Sequence, residues 1–580
     1  MKKIKVIAGI IIGLFCIVQY SYGQISEGGK PYSFSKKLSS TISSYDLNVE
    51  FRKIESRTYI DVIEEDDTLI YIEPVIGESF PVNLNPLSHG TWDTVENNNK
   101  IWRLRINSNV GNSMMLIFDD FYLPEGTFLY VYSEDKSQLI GAFTSNNNNP
   151  QNKFTTEPIK GNSLILEYYE PNSINEQEHL NIGSVGLITN DNSDILTKGL
   201  LTGFGASDPC MINARCPQYA NWCNQRRSVA KIYIVPLNGP ITYCTGSLLD
   251  NERKDGKPFF LTAFHCLDDN EDGSLTQAEK NTVNNWLFFF NYESSGCNNP
   301  STSPGVSTIS GAIFLDGNEN TDYTLLKLNN KPIKSYGVYY NGWSNDDDDM
   351  TSTGVCIHHP NADIKKITEW EKVFNYFDFD EWKIKPTAGS ITHGSSGSPL
   401  FNSNGQVVGQ CHSGTGFVCD ADLRVKFGRF DKSWHEYGLS WQLNPNGDHS
   451  GSYEHYIVSM GGSETCKDNW YFENGNDLHT SSNVNFNNPL TIGTRQYDGV
   501  YNAKNSIVAN EVTIKAGTSV TFEAGNEVVL NPGFYAEAGS NFVAIIGSCV
   551  GGCGNGLKIE DESNSGQSDT DMEIINNKAQ

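Results

Sequence analysis

The chain of 580 residues is long enough for three or four domains at roughly 150 residues each. A hydrophobic share of 38%, with 11% aromatics, can fill several cores and excludes wholesale disorder. Lys and Arg number 42 against 69 Asp and Glu, a formal charge of −27, which argues against gripping nucleic-acid phosphates or an anionic membrane surface.

At the N-terminus, Lys2, Lys3 and Lys5 precede a short apolar run and the small residues Ser21 and Gly23. This is the layout of a secretory signal peptide over 1–23, cut after Gly23. Bulky Phe15 ahead of Cys16 speaks against a lipoprotein signal, and no later run approaches the ~20 apolar residues of a spanning helix. The expectation is a secreted, extracellular or cell-surface-associated chain.

Residues 24–205 read as a β-sandwich. Trp102, Leu104 and Ile106 alternate with Arg103, Arg105 and Asn107, the period of a half-buried strand. Further strands are expected at 113–118, 128–132 and 163–169, separated by turn residues such as Pro124 and Gly126, Pro150, and Gly161. No triad-like or metal-like cluster falls in this region. Residues 206–460 carry the concentrated chemistry. From 461 to 555, Gly517, Gly525 and Gly533 recur between short strands at 511–514, 519–522 and 527–530, as in a small stacked β-coil. The acidic stretch 556–580 reads as disordered.

Twelve cysteines remain once Cys16 leaves with the signal, nine of them between 210 and 419. In an exported chain these point to disulfides rather than zinc. Nine is odd, so one central cysteine is unpaired or reaches the C-terminal three.

Three central segments point to nucleophilic catalysis. Phe260–Cys266 is an apolar strand ending in His265; Asp322 heads the apolar run Tyr323–Leu326; and Ser396 sits in the glycine turn Gly394-Ser395-Ser396-Gly397-Ser398-Pro399. A serine hydroxyl needs an imidazole to take its proton, and the imidazole needs a carboxylate to fix its tautomer. Ser396 would attack, His265 would serve as base and then acid, and Asp322 would orient it. The N–H groups of Gly394 and Ser396 would form the oxyanion hole. Taken singly, the three are a surface loop, a structural histidine and a turn cap. Together, in an exported chain, they favour catalysis without any required cofactor.

Over about 210–445 the sequence resembles the chymotrypsin-fold serine proteases, and within them the bacterial lysyl endopeptidases. The likeness rests on Cys244-Thr245-Gly246-Ser247-Leu248, Phe290-Asn291-Tyr292, Asp322-Tyr323-Thr324-Leu325-Leu326, Ile357-His358-His359-Pro360-Asn361 and Val408-Gly409-Gln410. It implies an all-β chain with a double-barrel protease domain over 206–460, preceded by a pro-region. It also implies bridges Cys210–Cys419, Cys216–Cys297 and Cys244–Cys266, leaving Cys223, Cys356 and Cys411 unassigned. In the family an Asp three residues before a Gly-Arg pair binds the substrate lysine. Here the pair is Gly428-Arg429 and the position is Val425. Small apolar, Glu and Lys side chains all stay open at P1, in that order, with His412 following the family as a residue that supports the site. Trypsin-type activation pairs a new N-terminal amine with an Asp before the nucleophile. That position is Ser395, so removal of the pro-region, with a cut within 199–207, is expected to act by unmasking or assisted folding.

Asp268, Asn270, Asp272, Ser274 and Glu279 occupy ligand positions of a twelve-residue EF-hand template, with Gly273 at the sharp turn. Calcium there would stabilise the loop after His265; the alternative is an acidic turn capping a helix over 276–286. The expected partners are protein or peptide substrates and the chain's own pro-domain, in a monomer. The alternative function is a catalytically silent, protease-like binding or surface protein.

Overall fold

The computed structural model describes residues 24–50, 75–174, 176, 178–188, 203–251, 256–333, 336–373 and 380–444, and, between 467 and 546, residues 467–473, 476–479, 490–492, 499–510, 512–514, 519–524, 527–538 and 540–546. The expected signal peptide, residues 199–202 of the expected cut region, Gly517, Gly525, the last three cysteines and the acidic stretch 556–580 lie outside the described residues.

The N-terminal part is a β-sandwich. One sheet contains Ser43–Leu47, Thr91–Thr94, Lys100–Ser108, Phe128–Ser133, Leu139–Phe143 and Ser163–Glu170; the other is built on Gly77–Leu84, Ser113–Tyr122 and His179–Ile188. Between them lies a core that includes Trp102, Leu104, Ile106, Leu116, Phe118, Phe121 and Leu166. The alternation read from 102–107 holds for the apolar positions. Arg103, however, is also buried, because its guanidinium is paired with buried Asp93 at 2.8 Å.

The central part folds as two β-barrel halves. The first runs through Val229–Ile234, Gly239–Leu249, Phe259–Ala263, Leu287–Phe290, Ser307–Ser310, Ala312–Asn318 and Tyr323–Leu328. In the second, Thr353–His358, Lys366–Lys372, Glu381–Ala388, Arg424–Arg429, Val407–Thr415 and Pro399–Asn402 each pair with the next, and the last pairs back with the first. A hydrophobic cluster containing Val229, Phe259, Leu325, Trp343, Phe401 and Phe430 joins residues of both halves. Trp343 lies on Phe430 and Trp434 with ring centroids 5.4 and 4.4 Å apart.

The sandwich and the first half share a sheet. Gly77–Leu84 pairs antiparallel with Gly239–Leu249 through Ser79↔Gly239, Glu78↔Pro240 and Gly77↔Ile241. Behind this seam Ile76, Met115, Ile117 and Ile188 pack with Ile241, Tyr243, Leu287 and Phe289. Gln24 bridges to Thr308, and its side chain holds the Thr155 carbonyl and the Glu157 amide. Toward the C-terminus short parallel strands stack as expected of a β-coil: Gly499–Ala509, Ser519–Ala524 and Asn541–Ile546 follow one another across a sheet, over buried Ile507, Val520 and Phe522.

Candidate active site

His265 follows the strand Phe259–Ala263, which pairs with Tyr323–Leu328 so that Ala263 lies opposite Tyr323. This register sets the end of one strand against the start of the other. Phe264 N–H donates to the Asp322 carbonyl at 2.9 Å, and the His265 backbone N–H donates to Asp322 Oδ1 at 3.0 Å. The imidazole Nδ1 of His265 is 3.0 Å from both oxygens of the Asp322 carboxylate. Asp322 adopts φ 51°, a left-handed conformation that turns its side chain back under the histidine. Burial alone would raise its carboxyl pKa, but the charges of His265 and His412 and the hydrogen bonds from His265 outweigh burial and hold it below the usual carboxylate range.

Ser396 is placed by glycines with no room for a side chain. A Cβ on Gly397, at φ +78°, would lie 2.3 Å from Thr262 Oγ1 and 2.7 Å from the Ala263 amide, so the serine turn packs directly on the strand that delivers His265. Gly394 has φ +81°, and a Cβ there would meet the Tyr243 ring at 2.3 Å. Thr245 clamps the same turn, its N–H donating to the Ser396 carbonyl at 2.8 Å and its hydroxyl to the Gly394 carbonyl at 2.6 Å. Gly397 N–H donates to the Cys411 carbonyl, one residue before His412.

Ser395, where trypsin-type enzymes carry the activating Asp, is bonded instead to His358: Ser395 Oγ lies 2.8 Å from His358 Nδ1, while His358 Nε2 lies 3.0 Å from Thr368 Oγ1. Burial, aided by the Lys366 charge, pushes His358 down to about 3, so a neutral imidazole holds the turn.

A small pocket opens beside Ser396, lined by Ile391, Thr392, His393, Cys411, His412, Ser413, Gly414 and Val425. Val425 is buried in its wall, and the described lining residues include no carboxylate. The His412 ring sits 5.7 Å from the His265 ring. His412 Nδ1 is held by Glu381 Oε1, and Glu381 Oε2 takes an ion pair from Lys426 at 2.9 Å. Burial lowers the His412 pKa, but Asp322 and the Glu381 hydrogen bond raise it further, for a net rise. Glu381 is the site residue that sequence reasoning missed.

The three bridges implied by the resemblance are present: Cys210–Cys419, Cys216–Cys297 and Cys244–Cys266. Cys223 is disulfide-bonded too. Cys356 and Cys411 are buried outside these bridges. Cys244–Cys266 ties the residue after His265 to the strand carrying Thr245, which in turn hydrogen-bonds the Ser396 turn. In the acidic loop, Asp268 accepts from the amides of Asp272 and Gly273, at 3.2 and 2.8 Å. Glu279 is bonded to the N–H and hydroxyl of Thr276, capping a helix over Gln277–Thr282 that continues as a 3-10 turn over Val283–Asn285. Asp268, Asn270, Asp272 and Ser274 thus lie on one turn, while Glu279 lies in the following helix and its carboxylate serves as the helix cap.

Residues 204–426 match the family described as lysyl endopeptidase, C-terminal domain. Among curated proteins, the lysyl endopeptidase of Pseudomonas aeruginosa (strain PAO1) is 27% identical over 267 residues, which is 44% of this chain. The matched region spans about half, 55%, of that relative's own length. Among solved structures, an inactive mutant form of Rv3671c from M. tuberculosis H37Rv is 13% identical, with 43% of this chain and 98% of that one covered at a TM-score of 0.26. An HtrA-type protease, AlgW, with a tripeptide is 16% identical over 39% of this chain and 63% of that one, also at 0.26.

Proposed function

We propose that this chain is an exported serine endopeptidase. Ser396 attacks the scissile carbonyl, His265 takes its proton and returns it to the leaving amine, and Asp322 holds His265 in the tautomer that accepts at Nε2. The N–H groups of Gly394 and Ser396 receive the developing oxyanion. The observation that carries the reading is the His265–Asp322 pair, joined by three contacts at 3.0 Å, with the Ser396 turn packed against the strand that delivers it.

The pocket favours a small apolar P1 side chain, since Ile391, Cys411 and Val425 line it and a buried ammonium would find no carboxylate among the described lining residues. We take residues 24–205 as the pro-region, docked on the first barrel half through the shared sheet, 206–460 as the protease unit, and 461–555 as an accessory module. Among the described residues no helix is long and apolar enough to cross a membrane. The substrates are proteins or peptides.

A fluorophosphonate tests this directly. The processed chain is expected to be labelled at Ser396, and Ser396→Ala is expected to abolish labelling. Attachment at another serine, or none after processing, would instead favour the catalytically silent alternative.

A further inference from the structure

Two carboxylate–histidine pairs meet in the cleft. Asp322 holds Nδ1 of His265, and Glu381 holds Nδ1 of His412. His412 is oriented as metal-binding histidines are, with a carboxylate on one ring nitrogen fixing the tautomer and raising the basicity of the other, while Asp322 and His265 would exchange their mutual hydrogen bond for the ion. One ligand atom each from His265, Asp322 and His412 can be chosen so that all three lie within 4.8 Å of one another. Two imidazoles and a carboxylate form a donor set suited to zinc, with ligand distances near 2.0–2.2 Å and remaining positions left to water. Small side-chain shifts would draw the three atoms in, and His412, part-exposed and on the cleft wall, has room to make one.

We propose that His265, Asp322 and His412 form a zinc-binding site superimposed on the catalytic dyad, with Glu381 as the positioning residue behind His412. Zn²⁺ held there takes a nitrogen of His265 and blocks its use as a base, so the ion is a reversible inhibitor. The inhibitory consequence rests on the protease reading; the binding does not. Glu381 is itself fixed by Lys426, whose ammonium leaves one carboxylate oxygen for His412. A second cluster of metal-ligand type, Asp346, Asp347 and Asp348, shares none of these residues and provides the control.

The test is calorimetric titration of ZnCl2 into the full chain carrying Ser396→Ala, in a buffer that does not chelate. One saturating equivalent is expected. Adding His412→Gln should weaken binding at least tenfold, adding Glu381→Gln about 10- to 100-fold, and adding Asp347→Asn should change nothing. If His412→Gln fails to fold, the Glu381→Gln arm decides. The proposal is overturned by the absence of saturable binding, by an affinity indifferent to both cleft substitutions, or by one lost with Asp347→Asn. On the chain with Ser396 intact, zinc should suppress fluorophosphonate labelling and EDTA should restore it. Absence of labelling even without zinc would count against the protease reading, leaving the calorimetry to judge the metal site.

Discussion

Glu157 sits at the seam between sandwich and barrel, and its charge is expected to set how firmly the two hold together. It lines a cavity with Ile76, Ile188, Phe204, Lys160 and Lys231, and its Oε1 is sealed from solvent. Gln24 takes its amide, and the Tyr336 hydroxyl faces it from the barrel. Burial pushes the carboxyl up from 4.5 to about 7. A carboxyl raised in the folded state binds its proton more tightly folded than unfolded, so its contribution is fully present below pH 4.5 and is lost as pH rises through 7. At 1.36 kcal/mol per pH unit the interval amounts to about 3 kcal/mol, most of it between pH 5 and 8. Glu157→Gln keeps the shape and stays neutral. By thermal unfolding of the full chain, the variant's Tm minus that of wild type should therefore grow by about 5–10 °C from pH 5 to pH 8, at about 2–4 °C per kcal/mol. A gap that stays constant within about 1 °C over that range would refute the reasoning.

Three further outcomes are expected. Asp322→Asn keeps an acceptor for the His265 backbone N–H but allows the wrong tautomer, so kcat should fall by about 10⁴ with the fold intact; a loss under tenfold would remove Asp322 from the mechanism. Val425→Asp places a carboxylate in the pocket wall, which should lower stability by about 1–3 kcal/mol and raise kcat/KM for Lys relative to Leu at P1 at least tenfold. Peptide libraries read this, and an unchanged preference would show that Val425 does not face the substrate. If the acidic loop binds with the sub-millimolar to millimolar affinity of extracellular calcium modules, 2 mM Ca²⁺ should stabilise the chain by about 1 kcal/mol, or about 2–4 °C in Tm relative to EGTA. No shift in wild type, or an equal shift in Asp272→Asn, would leave the loop as a helix cap.

The parts of the site carried by local signals were legible in the chain. An apolar strand ending in His265, an Asp leading another strand, and a glycine turn around Ser396 each announce themselves within a few residues, and the strand register of the first barrel half brings the first two together. Glu381 had no such signal. It lies 31 residues from His412 and reaches it only because Glu381–Ala388 pairs with Arg424–Arg429 as the second barrel closes. Arg103 was read as outward-facing because alternation counts polar residues as exposed. A guanidinium with a buried carboxylate partner breaks that rule. The seam between sandwich and barrel was equally hidden, since edge-to-edge pairing uses backbone groups and leaves no mark on side-chain identity.

That seam bears on how the molecule comes apart. Hydrolysis of a peptide bond between the sandwich and Cys210 would cut the covalent thread while leaving untouched the backbone rungs at Gly77–Ser79 and the apolar contacts behind them. Nicking and departure are then distinct events with separate rates. The cut piece stays seated like a cork beside Tyr243, whose ring braces Gly394, until something else dislodges it.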